Sequence, residues 1–152
     1  GEVASSVGLA LPISTRQSAP RDPRFRPEVL AAYGYRCAIC GLDVRLGSVS
    51  IGIEAAHIKW HQASGPSTVT NGLALCTLHH KALDIGALTL SDDHRVLLSS
   101  ELSGYRWFGE MFLEIANKQI AAQTDSQLPG REFIQWHHRE VFRKPDRERE
   151  LT

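Results

Sequence analysis

The strongest constraint on this chain is a matched pair of ligand spacings. Cys37-x-x-Cys40 and Cys76-x-x-His79 have the same two-residue gap and lie 35 residues apart. Two turns that each present two such ligands close a tetrahedron around zinc. The intervening residues are then looped out and stapled at their base. All three cysteines are used and none is left over. Four protein ligands fill the shell, so the site is structural rather than catalytic. The bland alternative is that these are small buried hydrophobes, as free cysteines often are; two pairs at ligand spacing weigh against it. A disulfide framework calls for an even count and an oxidising compartment. Metal thiolates in a reducing cytoplasm fit three thiols better. A redox reading of Cys37-x-x-Cys40 leaves the second pair unexplained, and no thioredoxin-like βαβ pattern surrounds it.

The rest of the chain is read around this staple. Its 152 residues suit one domain with a tail. Residues 1–24, punctuated by serine and proline, read as a linker or N-terminal extension. The first residue is Gly1, so the chain is expected to be processed or a piece of something longer. Pro27 opens a short helix to about Ala32, stopped by Gly34. Ser48 to Ile58 reads as one strand, from the alternation of Val49, Ile51 and Ile53. Residues 61–71 form a loop, residues 73–75 a second strand, and Thr77 to Asp84 a helix ended at Gly86. Residues 87–90 and 96–99 flank a turn sequence and make a hairpin. Leu102 to Ile120 reads as a core-facing helix, and Arg131 to Arg143 as a last helix carrying Phe133, Trp136 and Val141. The residues from 146 onward read as a frayed tail.

Once the zinc ligands are set aside, His57, Asn71 and His80 remain. They fall at a strand end, a loop end and a helix. Adjacent helical residues point about 100° apart, so His79 can face zinc while His80 faces elsewhere. The strand, loop and helix bring the three into one cleft. His61 reads as a loop residue or a phosphate contact, His94 as a turn residue, and His137 and His138 as a solvated helix face.

Glu54-Ala-Ala-His57, Asn71-Gly-Leu-Ala-Leu-Cys-x-x-His-His80 and Asp84-x-Gly86 resemble the HNH nuclease family, of the ββα-metal fold. The likeness covers roughly residues 22–100. The segment Trp136 to Phe142 also resembles the end of bacterial HNH restriction endonucleases, modification-dependent ones in particular. The resemblance implies an α+β fold: a ββα-metal core with a structural zinc knuckle, flanking helices and a short β-hairpin, over residues 25–145. It implies a metal-dependent DNA endonuclease. His57 would be the general base. One divalent cation (magnesium, manganese, cobalt or nickel) would act as a Lewis acid on the scissile phosphate. His80 would ligate it, Asn71 would ligate it or hold the loop that aims His57, and Asp84 would orient His80 or join the shell. Many family members carry Asp or His immediately before the base as a ligand. Here that position is Ala56, as in some restriction members. Water, phosphate or Glu54 would then complete the shell, Glu54 only if the strand bends.

Charge is balanced, with 17 basic and 17 acidic residues. Any phosphate-binding surface must therefore be a local patch. Lys59 and Lys81 flank the expected cleft and lead the candidates, ahead of Arg36, Arg45, Arg139, Arg143 and Lys144. No apolar run is long enough to span a bilayer. The resemblance implies double-stranded DNA as partner, a homodimer for a two-strand break, and fusion to an N-terminal domain recognising modified DNA, in a bacterial cytoplasm. The competing reading is a zinc-stapled nucleic-acid-binding module whose second site is degenerate because of Ala56.

Overall fold

The computed structural model describes residues 22–148; the linker reading of residues 1–24 and the end of the tail lie largely outside them. Helix α1 spans Phe25–Ala32. Phe25, Val29 and Ala32 repeat at helical spacing and are buried. The helix begins two residues before Pro27. That is tolerated because Pro27 stays within the first turn, where a backbone N–H has no intrahelical acceptor.

The expected single strand from Ser48 to Ile58 is two strands. Gly52 takes φ +78°, which the other residues of this segment adopt only with strain. Before it, β1 (Val44–Leu46) and β2 (Val49–Ile51) pair as an antiparallel ribbon. After it, β3 (Ile53–His57) pairs with β4 (Gly72–Cys76). The break explains why the alternation misled: Val49 and Ile51 are exposed, whereas Ile53 is buried.

The β3–β4 pair is the centre of the domain. Its register sets Ile53 opposite Cys76 and His57 opposite Gly72, and every residue of β4 is buried. Helix α1 packs on this pair. The approach is so close at Gly72 that a Cβ there would lie 2.5 Å from a Val29 methyl and 3.0 Å from the Phe25 ring. Helix α2 (Thr77–Asp84) follows β4 directly, completing two antiparallel strands and a helix. Cys76 caps it, its sulfur accepting from the His79 N–H.

The hairpin of β5 (Leu88–Leu90) and β6 (Val96–Leu98) forms as expected. The long helix over Leu102 to Ile120 does not. Only α3 (Phe108–Met111) and a 3-10 turn, Leu113–Ile115, are helical there. Trp107 and Asn117 have φ +66° and +65°, so left-handed residues bound the segment at both ends. Phe112, Ile115 and Ile120 still reach the core.

Helix α4 (Arg131–Glu140) packs on β5. The solvated-face reading of its histidines is wrong for His137, which is fully buried. The Nε2–H of His137 donates to the Leu83 carbonyl at 2.8 Å, and the Thr89 hydroxyl lies 2.8 Å from Nδ1. It thereby adds a second hydrogen bond to a last-turn carbonyl of α2 that also accepts from the Gly86 N–H at 3.2 Å. His138 is half-buried. No helix among the described residues is long and apolar enough to cross a membrane.

Candidate active site

The two spaced pairs converge. The ligand atoms of Cys37, Cys40, Cys76 and His79 all lie within 4.8 Å of one another. Cys40 Sγ is 3.9 Å from Cys76 Sγ. His79 Nδ1 is 3.7 Å from Cys37 Sγ and 3.3 Å from Cys76 Sγ. Zinc bonds of about 2.0–2.3 Å give tetrahedral edges of roughly 3.3–3.8 Å, so the donor set fits zinc. The Nε2–H of His79 donates to the Met111 carbonyl at 2.7 Å. A carbonyl only accepts, so the proton is on Nε2 and the lone pair on Nδ1, toward the sulfurs. The contacts with Cys40 and Cys76 hold the Cys37 thiol far below its ordinary range. The contacts with Cys37 and Cys40 push the Cys76 thiol far above it. A bound dication is what allows all three sulfurs to ionise together.

The neighbouring residue on α2, His80, faces a different surface. A cleft of about 470 Å³ is lined by His57, His61, His80, Lys81 and Asp84, with Ala55, Trp60, Gln62 and Ile85. His57 and His80 thus meet across one cavity, from the end of β3 and the middle of α2. Lys81 lines it, and Lys59 is not among its lining residues.

His57 is 9% exposed. Its ring stacks on Phe25 with centroids 4.0 Å apart and planes 15° apart. Its Nε2 lies 3.1 Å from the Ser67 hydroxyl. His61 is tilted beside it at 5.7 Å.

His80 sits between two carboxylates. Its Nδ1 is 2.6 Å from Glu54 Oε1, and its Nε2 is 3.3 Å from Asp84 Oδ2. Glu54 and Asp84 therefore occupy opposite ring nitrogens and do not converge on one point. Burial raises the Asp84 carboxyl above its ordinary range; His80 and Lys81 oppose the rise, and Glu54 adds to it.

Asn71 is fully buried. Its Oδ1 accepts from the Lys59 N–H at 2.8 Å, and its Nδ2 donates to the Lys59 and Pro66 carbonyls at 3.0 and 2.9 Å. Both amide atoms are spent on the loop that follows His57. Ala56 is fully buried in the core, so its position presents nothing to the cleft.

Sequence reading missed Ser67, Phe25 and Trp60. Ser67 sits in a Gly-Pro-Ser-Thr stretch that signals only a turn. Phe25 lies 32 residues from the histidine that it covers. Trp60 rests its ring edge-on against Trp136 at 5.8 Å, a contact between distant segments.

Residues 37–91 match the model of a family described as HNH endonuclease. No curated protein matches the chain. Among solved structures, the chain is similar to a modification-dependent TagI restriction endonuclease, with a TM-score of 0.61 and 23% identity. That likeness covers 80% of this chain and 38% of the other, so this chain spans well under half of its neighbour's length. At this identity the likeness establishes the fold. The ββα core, the Cys3His cluster and the match of residues 37–91 to the HNH endonuclease model agree with one another.

Proposed function

We propose that this chain is a metal-dependent DNA endonuclease domain that hydrolyses phosphodiester bonds. The observation that carries the reading is that His57 and His80 line one cleft, while the Cys3His cluster includes His79, the neighbour of His80 on α2. His57 is the general base, within reach of a water placed in the cleft. The Nε2 edge of His80 and Asp84 hold the divalent cation. Two such donors in one shell, each about 2.0–2.2 Å from a metal, stand roughly 3 Å apart, and the pair is 3.3 Å apart. Glu54 accepts from Nδ1–H of His80 and so fixes the ring and its tautomer, as a carboxylate behind a ligating histidine does. For Asp84 this takes the second of the two roles expected from the sequence, and for Glu54 it replaces the expected place in the metal shell with orientation of His80. The cation, when bound, supplies Lewis-acid stabilisation of charge on the phosphate. Asn71 holds the loop rather than the metal, because its amide is already committed.

Lys81 serves as the phosphate contact at the cleft. A chain with zero net charge binds DNA weakly by itself, and its binding falls steeply with salt. We infer further that the domain is the cleavage part of a restriction enzyme acting on modified DNA, methylated or phosphorothioated. The support is the likeness to a modification-dependent restriction endonuclease and the fraction of that chain left unmatched. Cutting both strands calls for two copies, hence a homodimer.

The test is nicking of supercoiled plasmid in EDTA, magnesium, manganese or cobalt, beside His57→Ala. Metal-dependent nicking that the variant loses, with zinc content and fold intact, supports the reading. Metal-dependent nicking that the variant retains removes His57 as base. DNA binding with no nicking under any metal, by the full-length protein on modified DNA, favours the zinc-stapled binding module.

A further inference from the structure

We propose that the β1–β2 ribbon is the surface on which a second copy of this chain docks; the proposal deepens the reading of a paired endonuclease and rests on it. The register sets Val44 opposite Ile51, Leu46 opposite Val49 and Arg45 opposite Ser50. Side chains alternate along a strand, and directly opposed residues share a face. Val44, Leu46, Val49 and Ile51 therefore make one wholly aliphatic face, and Arg45 and Ser50 the other. The aliphatic face is the one in water: its four residues are 50, 75, 64 and 49% exposed. Ser50 is half-buried between two exposed neighbours. The ribbon is amphipathic with its apolar side outward.

A lone copy gives no reason for this. The two strands pair with each other and make little contact with any other described helix or strand. A two-stranded ribbon is marginal in water unless something packs on it, and an exposed aliphatic face invites association. Charge narrows the occupant. The segment from Gly41 to Gly52 has only Asp43 and Arg45 as charged residues, and these pair with each other at 2.7 Å. A neutral aliphatic face has no free cation for a phosphate backbone or an anionic lipid surface. It meets a copy of itself without a like-charge penalty, as the self-complementary interface of a twofold dimer requires.

The size of the patch sets the strength of the pair. The four side chains offer roughly 400 Å² of apolar surface on each copy, so stacking two copies buries roughly 800 Å². The surface continues from Val49 into a groove of about 270 Å³ lined also by Leu30 and Tyr35, with Tyr35 41% exposed. The total stays at the low end for specific interfaces. The copies are then mostly separate when dilute, and pair when one DNA duplex holds both close together. No residue of the ribbon lines the cleft, so docking uses none of the catalytic surface and two copies supply the two cuts.

The experiment is sedimentation velocity on the zinc-loaded chain over a concentration series, with and without a DNA duplex, for the native chain, Leu46→Asp and Leu46→Lys. Amide hydrogen exchange and plasmid cleavage are read on the same samples. The native chain is expected to form a dimer as concentration rises, with exchange of residues 44–51 slowing in step. Each folded, zinc-bound variant should need a concentration about tenfold or more higher to pair, because it sets a charge in an apolar face. An equimolar mixture of the two should pair better than either alone. On plasmid, each variant should nick like the native chain but lose the linear product, and the mixture should regain it. A native chain that stays monomeric at every concentration and on DNA overturns the proposal. So does a native dimer protected elsewhere than residues 44–51; neither reading needs a variant to fold. Folded variants that pair as well as the native chain overturn it too. Weaker DNA binding by both variants, at concentrations where every chain is a monomer, would make the ribbon a DNA surface instead. If no metal supports nicking, the endonuclease reading fails, while mass and exchange still decide on the ribbon.

Discussion

His137 makes the stability of this fold depend on pH in a way that can be isolated. Burial lowers its pKa from 6.5 to about 4, the hydrogen bond to Leu83 opposing and His138 adding slightly. The unfolded chain therefore binds a proton between those values that the folded chain refuses. Stability from this group is fully present above the unfolded value, 6.5, and is lost as pH falls through about 4. The whole shift corresponds to about 3 kcal/mol, at about 1.4 kcal/mol for each unit. Between pH 7 and 4.5 the loss is roughly 2 kcal/mol. For a domain of this size that is a sizeable share of a typical total of about 5–15 kcal/mol.

Acid also releases zinc from thiolates, so the raw pH dependence of unfolding is ambiguous. His137→Gln separates the two. It keeps one donor and one acceptor for Leu83 and Thr89 but does not titrate. Urea unfolding with saturating zinc at several pH values between 7 and 4.5 gives both slopes. The native chain should lose roughly 2 kcal/mol more than the variant over that interval. Parallel losses would refute the assignment. A second reading is independent of the variant's stability: the His137 imidazole of the native chain should show no NMR titration above about pH 5. A midpoint near 6.5 would mean that the buried site accepts the charge.

Other consequences follow from single contacts. Chelating zinc should unfold the region around α2, or lower Tm sharply, because binding free energy at such sites is folding free energy; thermal unfolding with and without chelator reads it, and an unchanged Tm would remove the staple. Asp84→Asn should raise the metal concentration for half-maximal nicking by about tenfold or more, and more than Glu54→Gln does; the reverse order would put Glu54 in the metal shell and leave Asp84 to orient His80. Tyr33→Phe should leave stability unchanged or raise it by up to about 1 kcal/mol, because the buried Tyr33 hydroxyl has no hydrogen-bond partner among the described residues. Gly72→Ala should cost about 1–3 kcal/mol by overpacking against Val29 and Phe25, measured by urea unfolding; a neutral result would mean that α1 yields easily.

What could be read from the sequence was whatever rests on spacing within a few residues. The two ligand pairs, the end of β3 at His57 and the whole of α2 are local patterns, and the structure places them as expected. The strand through Gly52 misled because alternation continues across a residue whose φ turns the chain. The helix expected over Leu102 to Ile120 misled because apolar residues at near-helical spacing also suit a winding segment that dips into the core at Phe112, Ile115 and Ile120. His137 was misplaced because a histidine's burial depends on Thr89 and Leu83, which only the tertiary fold supplies. The positions of Glu54 and Asp84 on opposite ring nitrogens of His80 were hidden for the same reason: which nitrogen each carboxylate meets is a matter of rotamer and approach, not of spacing.

The site is protected against a register error at both ends of its ladder. A slip of one residue in β3 against β4 would turn His57 to the other face. At one end, Cys76 is both a member of the Cys3His cluster and the cap of α2, and Ile53 lies opposite it. At the other end Gly72, opposite His57, passes where no Cβ fits, and Asn71 before it fixes the loop. A slip would therefore drag a larger side chain into the Phe25–Val29 contact or pull Cys76 from the three other ligands. The ladder between these ends covers four residue steps, about 13 Å. His79 and His80 carry the constraint onward, because α2 cannot rotate His80 out of the cleft without moving His79 from the Cys37 and Cys76 sulfurs. Zinc bound to the Cys3His cluster would thus contribute to the cleft by fixing both the strand that presents His57 and the helix that presents His80.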